Sequence, residues 1–515
     1  MKTIRLLLTM IILLAGFTGC VKDRGDYDYT DIPVFSTDDW QVKVNDKVAE
    51  LRADNKIVLK TGDRLCIAAN GGFTGNARPE YHWKVLTKDQ PDNPEHIFES
   101  PREVAVTKDF DQAFEEGPGS YILSFEAINR NNNTIFGAQF IVEVLSIKGM
   151  LVYYADADGK GDYSAFATAE ILPGVDEDYL GRNDHIYSTV NGGAKIEKPT
   201  QIWVREAMKR QPADRRILLA SENTVTVVNY ETHEKESDIY SSLFFIPPAK
   251  EARPEGFMAG FQSEYLVQHG DLYKIDYTQA EKIIYGVHCG QYGCEYSPYM
   301  MSVPMDMETM TGGWNIVYNK TLRCFELDNW GTMVGLMSGG GKVDVGNTGM
   351  DLLYADKGPE YSIHAVMRDD AGKVHYVCFT YPDPVMDPFT VVCAADHDLS
   401  ARSEVTEHSL WAVGARGNIS FFSSGNEVYL LNQQTGSIVS ADLDLPEDAE
   451  IAALQVLKDI DNTIYDNALL FVGYNLNGQG CVRQYRFNPL SGQINKDSKR
   501  EFGEYGRILG IALKK

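Results

Sequence analysis

Residues 264–275 read EYLVQHGDLYKI, an apolar strand pattern that is followed by a turn and a second alternating strand. Alternation on both sides of a glycine-containing turn is typical of an antiparallel β-hairpin. The same form recurs in residues 217–230, ILLASENTVTVVNY, and in residues 420–431, SFFSSGNEVYLL. The pattern predicts an all-β chain that builds much of its fold from repeated hairpins.

Such hairpins begin at seven places in residues 148–515, namely Leu151, Ile217, Tyr265, Ile316, Leu352, Ile419 and Leu469. Seven units in that range average about 53 residues, close to one blade with its loops in a β-propeller. We therefore predict a β-propeller of seven blades over residues 148–515. The spacing is uneven and the unit at Leu352 could conceal a neighbour, so six or eight blades remain open.

A different strand pattern occupies residues 34–147. Tyr81 to Val85 alternates as a half-buried strand does, Trp83 lies within that strand, and Tyr121 enters a late strand. Roughly six or seven short strands separated by turn clusters predict an immunoglobulin-like sandwich. No cysteine pair accompanies Trp83, which excludes an antibody-type domain.

The amino-terminal residues predict the compartment. Lys2 and Arg5 precede an apolar run, residues 6–17, that is too short to cross a hydrocarbon core of about 30 Å. We interpret residues 1–19 as a signal peptide, because small residues directly before Cys20 resemble a bacterial lipobox, and residues 20–33 as a tether. A lipidated Cys20 would anchor the chain, whereas a plain secretory signal with an incidental cysteine is the alternative.

The tether also carries a family resemblance. Cys20 is followed by Lys22-Asp23, a glycine and Asp26-Tyr27-Asp28-Tyr29, which resembles the opening of the PKD-like family of Bacteroidetes outer-membrane lipoproteins. The resemblance implies a PKD-like sandwich, an outer-membrane location facing the cell exterior, and no cofactor. It further implies an accessory role beside a TonB-dependent transporter and its SusD-like lipoprotein, with a glycan or peptide as ligand.

Charge and hydropathy exclude other partners. The 515 residues carry 73 acidic and 48 basic side chains, a formal charge of -25, and no basic run. Such a surface is repelled by a phosphate backbone, so nucleic acid is excluded as a partner. No second apolar run of spanning length follows the signal peptide, and we expect the lipid alone to hold the protein at the membrane.

The cysteines and two loops were considered as metal or phosphate sites. Seven cysteines follow Cys20, an odd number that disfavours a disulfide framework, although Cys289 and Cys294 could close a short disulfide loop. Zinc at this pair is the less favoured alternative. The loop 156–162 has calcium-like spacing, but Lys160 replaces a ligand, which favours a hairpin turn. The segment 338–342 fails the phosphate-loop pattern and is expected to be a flexible loop.

No motif of a hydrolase, metalloprotease or sialidase propeller occurs in the sequence, so we predict a binding protein and no catalytic residues. A glycan hydrolase or lyase with a propeller fold and an adhesin are the alternatives. The segment from Tyr292 to Trp314 is unusually rich in Tyr, Met and Trp, which are typical of contact surfaces. We predict ligand binding by Tyr292, Tyr296, Tyr299, Trp314 and Trp330. The alternative is that these side chains only cover an end of the propeller.

Overall fold

The computed structural model describes most of the chain after the predicted tether. The described residues are 34–49, 55–60, 62–87, 101–175, 177, 181–206, 215–237, 244, 251–260, 263–276, 289–303, 314–329, 332–359, 362–382, 387–458, 460 and 462–515. Cys20, residues 1–33 and Trp330 lie outside them. Within the described residues no helix has the length and apolar character needed to cross a membrane.

The chain divides into two compact units, the first built on residues 34–144 and the second on Leu145–Lys515. Two antiparallel sheets form the first unit, with the strand orders β2-β1-β4-β7 and β3-β9-β8-β5-β6. The strands are β1 (Phe35–Val44), β2 (Lys47–Val48), β3 (Lys56–Lys60), β4 (Arg64–Phe73), β5 (Pro79–Thr87), β6 (Arg102–Ala105), β7 (Phe110–Ala113), β8 (Gly119–Asn129) and β9 (Thr134–Leu145).

The two sheets of the first unit share one aromatic core. Along β8 every second side chain is buried, as expected when one face of a sheet is covered. Trp83 on β5 is fully buried and donates its indole N–H to the carbonyl of Thr107 at 3.1 Å. Trp40 on β1 packs edge-on against Trp83 and against Phe140 of the other sheet. The alternation read from the sequence therefore marks the core-facing residues.

The described residues of the second unit form seven sheets and one short helix, α1 (Ile186–Val190). In sheet order, the strands are β12 (Arg182–Asn183), β11 (Gly161–Phe166), β10 (Gly149–Ala155) and β37 (Arg507–Lys514); β13 (Pro199–Arg205), β14 (Arg216–Ser221), β15 (Val225–Asn229) and β16 (Lys235–Ser237); β17 (Pro254–Ala259), β18 (Ser263–Gln268) and β19 (Asp271–Asp276); β20 (Met301–Val303), β21 (Trp314–Asn319), β22 (Cys324–Asn329) and β23 (Thr332–Gly335); β24 (Met337–Ser338), β28 (Thr390–Asp398), β27 (Val374–Thr380), β26 (Ile363–Arg368) and β25 (Asp351–Lys357); β29 (Trp411–Val413), β30 (Ile419–Ser424), β31 (Glu427–Asn432) and β32 (Ile438–Ser440); β33 (Glu450–Val456), β34 (Leu469–Leu476), β35 (Gln479–Phe487) and β36 (Ile494–Tyr505).

These sheets close into a ring. The last strand, β37, pairs antiparallel with β10 and so completes the first sheet from the other end of the chain. At one edge of each sheet lies a strand that contacts the matching strand of the next sheet, as in β17 with β20, β20 with β25, β25 with β29, β29 with β33, and β33 with β37. Strand β37 contacts β13, and Trp203 of β13 stacks on Phe257 of β17 at 5.8 Å. The second unit therefore has a β-propeller fold.

The hairpin pattern follows from this packing. Strands β14 and β18 are buried along their whole length, because each sheet has a neighbouring sheet on both faces. The turn between β18 and β19 is His269-Gly270, and both residues have positive φ, 50° and 77°. Type I′ hairpin turns require this conformation at both central positions. The sequence expectation of an antiparallel hairpin at residues 264–275 is confirmed.

Each hairpin start that the sequence predicts falls in a different sheet of the ring. Six of the seven lie on the second strand from the ring's inner edge, whereas Leu352 lies on β25, the inner strand of its sheet. The glycine-rich segment after Ser338 differs from the flexible loop that was expected. β24 pairs in parallel with β28, and the N–H of Gly339 continues this pairing by donating to the carbonyl of Val391.

Candidate functional site

The predicted binding residues do not share one surface. Tyr292 is fully exposed, Tyr296 is fully buried, and Tyr299 keeps 37% of its surface exposed. Trp314 is half-buried and packs on Tyr381 with ring centroids 5.1 Å apart. Trp330 lies outside the described residues. The five aromatic residues thus have different roles, and Tyr296 is a core residue.

Tyr299 and Trp314 lie at opposite ends of the same strand. Tyr299 precedes β20, whereas Trp314 begins β21 and pairs with Val303 at the far end of β20. Four residues of extended chain separate the two positions by roughly 13 Å. One small ligand cannot stack on both rings, so the structure does not bring these two predicted residues together.

Tyr292 lies on a tight turn, residues 290–294, which we call the Tyr292 turn. The N–H of Cys294 donates to the carbonyl of Gln291 at 3.1 Å, and Gly293 has a φ of 77°. A Cβ at Gly290 would lie 2.3 Å from the ring of Tyr296, so only glycine fits there. The turn therefore packs directly on the buried ring of Tyr296.

The disulfide predicted between Cys289 and Cys294 is not formed, since both thiols are free. The Sγ of Cys289 instead donates to the carbonyl of Leu272 at 3.4 Å. Burial raises the pKa of the Cys289 thiol to about 12, which disfavours the thiolate that would bind a metal or attack a disulfide. Both cysteines pack with the apolar side chains of the third and fourth sheets.

Glu326 holds the Tyr292 turn on the fourth sheet. Its carboxylate is fully buried on β22 and accepts hydrogen bonds from the side chains of Gln291, Tyr296 and Asn319, each at 2.9 Å. The hydroxyl of Tyr296 accepts in turn from the backbone N–H of Gln291 at 2.8 Å. Within the described part of the chain, no basic side chain forms an ion pair with Glu326.

A polar cluster lies beside Tyr299 at the inner edge of the ring, and we call Tyr299, Tyr354, Asp356 and Lys458 the Tyr299 site. The ring of Tyr299 meets the ring of Tyr354 edge-on at 5.2 Å. Tyr354 donates its hydroxyl to Asp356 at 3.1 Å, and Lys458 donates to the same carboxylate oxygen at 2.6 Å. Lys458 follows β33, so the pair joins the fifth sheet to the seventh.

The Tyr299 site keeps functional groups that the fold does not use. Lys458 makes two hydrogen bonds, to Asp356 and to the carbonyl of Lys357, which leaves one of its three N–H groups for another acceptor. Tyr299 offers a partly exposed ring, and burial raises the pKa of its phenol, so it stays protonated at neutral pH. An aromatic ring beside a charged donor can bind a sugar or a peptide side chain.

A buried network lies behind this site. The imidazole of His364 on β26 contacts the hydroxyls of Ser362 and Tyr376 at 2.8 and 2.9 Å, and Tyr376 reaches Ser420 of the sixth sheet at 2.7 Å. Burial, with a contribution from the charge of Lys458, lowers the pKa of His364 to about 3. Because His364 is 2% exposed, we assign this network to packing between sheets.

The two loops that suggested metal or phosphate binding have structural roles. Asp156 accepts from the backbone N–H groups of Asp158 and Lys160 at 2.9 Å within the turn between β10 and β11. Burial opposes ionisation of Asp156, but Lys195 and these N–H groups outweigh it and lower its pKa. Within the described residues no group of three acidic, His or Cys side chains could hold a metal ion.

Sequence reasoning identified Tyr299 and missed the rest of its site. Tyr354 and Asp356 lie in a predicted strand, and Lys458 follows another one about a hundred residues later. Nothing in the local sequence indicates that two sheets with another between them would meet. The one available signal was Lys458 itself, a charged side chain directly after an apolar strand, Glu450–Val456.

Comparison with known proteins leaves the fold to the chain's own sheet order. No protein-family model and no curated protein matches the chain. It is similar to a quinoprotein alcohol dehydrogenase-like protein from Bacteroides thetaiotaomicron, with 11% identity, 90% of this chain and 94% of that chain covered, and a TM-score of 0.43. The extracellular domain of a one-component system from the same species has 9% identity, 91% and 70% coverage, and a TM-score of 0.39. These likenesses assign no activity.

Proposed function

We propose that this protein is a non-catalytic outer-membrane lipoprotein that binds a nutrient or a partner at the cell surface. In this proposal Cys20 carries the lipid and residues 20–33 tether the body to the membrane. The body acts beside a TonB-dependent transporter and its SusD-like lipoprotein, with a glycan or a peptide as ligand. The Tyr299 site supports the proposal, because it combines an exposed ring with a free donor at the inner edge of the ring of sheets.

The proposal includes an architecture. Residues 34–147 form a PKD-like sandwich and residues 148–515 a propeller, with each of the seven sheets acting as one blade. The aromatic core between two sheets supports the first assignment. The pairing of β37 with β10 supports the second, because a propeller commonly closes its ring by joining strands from both chain ends into one sheet.

Membrane fractionation tests the anchor. Cys20→Ala should leave the protein unprocessed or release it from the outer membrane, because a lipid chain supplies the membrane affinity. Retention of the Cys20→Ala variant in the outer membrane would overturn the lipoprotein part of the proposal. Co-purification of the wild type from solubilised outer membrane then tests the partner, with a SusC/SusD-like pair as the expected associate.

Binding to a panel of glycans and peptides tests the site. Tyr299→Ala should weaken binding by about 2 kcal/mol, the usual threshold for a hot spot. Trp314→Ala is the matched control, an aromatic residue of the same segment at the other end of β20, and it should keep the affinity while lowering the melting temperature. Equal affinity of the Tyr299→Ala variant and the wild type would exclude the Tyr299 site. Cleavage of a bound glycan would overturn the non-catalytic assignment.

A further inference from the structure

Glu326 is unusual among the buried carboxylates of the second unit. It is completely buried, yet its hydrogen-bond donors are three neutral side chains, those of Gln291, Tyr296 and Asn319. Moving a carboxylate out of water is costly unless the charge is compensated, and neutral donors compensate it less than a cation does. A core position that only needed filling would be served better by an apolar side chain.

Its donors indicate what the carboxylate does. Gln291 and Tyr296 lie in the connection between the third and fourth sheets, and Asn319 lies on β21 next to Glu326. The backbone of Tyr296 forms a bridge with Asn319, and the N–H of Ser297 donates to the carbonyl of Tyr318. Glu326 is therefore the one acceptor on the sheet that receives side-chain donors from both ends of the Tyr292 turn.

We propose that Glu326 is a positioning residue that preorganises residues 291–299 for binding. The inference rests on the proposed binding function and names the residue that fixes its geometry. The carboxylate orders the Tyr292 turn through Gln291 and fixes Tyr296 three residues before Tyr299. The chain therefore enters β20 in the conformation that places Tyr299 against Tyr354. Ordering these residues before the ligand arrives removes an entropic cost from binding.

Hydrogen exchange without ligand tests the positioning by itself. In the Glu326→Leu variant the amides of Gln291, Cys294 and Tyr296 should exchange at least about tenfold faster, since loss of an ionised acceptor leaves their supports unpaired. Tyr296→Phe is a milder variant that removes one hydroxyl from this network, and it should accelerate the exchange of Gln291 most. Unchanged exchange in both variants would overturn the proposal.

Affinity measurements connect the positioning to binding. Glu326→Leu should lose at least about tenfold in affinity, and Glu326→Gln, which keeps one acceptor oxygen, should recover most of that loss. Glu295→Gln is the matched control, because Glu295 lies in the same segment but forms an exposed ion pair with Lys320 at 3.5 Å. Faster exchange with wild-type affinity would overturn the link to binding. Faster exchange in a protein that binds no ligand of the panel would count against the proposed function and support the positioning.

Discussion

Two fully buried carboxylates of the propeller, Glu264 and Glu326, are compensated in opposite ways. Glu264 on β18 binds the Nε of Arg205 at 2.9 Å and an Nη of Arg216 at 2.6 Å. Both arginines belong to the second sheet, so this cluster fastens the second sheet to the third. Glu326 on β22 instead accepts from neutral side chains and fastens a loop segment to its own sheet.

The difference shows what each buried charge is for. Guanidinium groups in fixed strands match the charge of a carboxylate and create a rigid contact between sheets. Neutral amide and hydroxyl donors leave more of the charge uncompensated, but they can belong to an irregular segment. We therefore assign Glu264 to stability and Glu326 to the conformation of the candidate binding segment.

The largest expected effect comes from breaking the charged cluster. Glu264→Leu should lower the free energy of unfolding by about 3 to 5 kcal/mol, because it leaves two arginines buried without their carboxylate. Urea denaturation of the whole protein measures this. The control is Glu222→Gln, which removes an exposed ion pair with Lys198 and should cost less than about 1 kcal/mol.

Removal of the neutral cluster should cost less. Glu326→Leu leaves uncharged donors without an acceptor, for which we expect a loss of about 1 to 3 kcal/mol in the free energy of unfolding. Glu326→Gln should lie between this variant and the wild type in the same urea titration. If Glu326→Leu proved as destabilising as Glu264→Leu, the assignment of the two carboxylates to different roles would be wrong.

A buried amine extends the comparison to pH. Lys514 on the closing strand is fully buried and donates to Ser146 and to the carbonyl of Ile147, and burial lowers its pKa from 10.5 to about 7. Between these values the unfolded chain binds a proton that the folded chain does not. Stability should therefore rise with pH through this window, by up to about 1.4 kcal/mol per unit, and fall as the pH drops toward 7.

Thermal melts at several pH values above 7 measure that slope. Lys514→Met should remove its lysine contribution and leave the shallower dependence of the remaining groups. An unchanged slope in the variant would show that Lys514 is charged in the folded protein.

The smallest expected effect is at the exposed tip of the Tyr292 turn. Tyr292→Ala should change the free energy of unfolding by less than about 0.5 kcal/mol, because the side chain is fully exposed. Calorimetry measures this, with Tyr296→Ala as the buried counterpart, which should destabilise the protein strongly. A large loss on replacing Tyr292 would show that the ring packs on the protein in solution.

The sequence was most informative where the pattern is local. Alternation in residues 264–275 predicts a hairpin, because side chains of a strand point to opposite faces, and that hairpin is present as β18 and β19. The predicted aromatic segment mixed three kinds of residue, the exposed Tyr292, the buried Tyr296 and the partly exposed Tyr299. Their composition is alike, and only their neighbours on other strands distinguish them.

By itself the sequence determined the all-β class, the positions of the hairpins and the apolar residues of each strand, because these depend on contacts within a few residues. Tertiary structure alone decided that β37 completes the first sheet and that Lys458 meets Asp356 across about a hundred residues. It also decided that Cys289 and Cys294 remain thiols and that Glu326 receives the Tyr292 turn. These contacts depend on how sheets pack around a closed ring, and no local pattern of side chains encodes which distant strands will become neighbours.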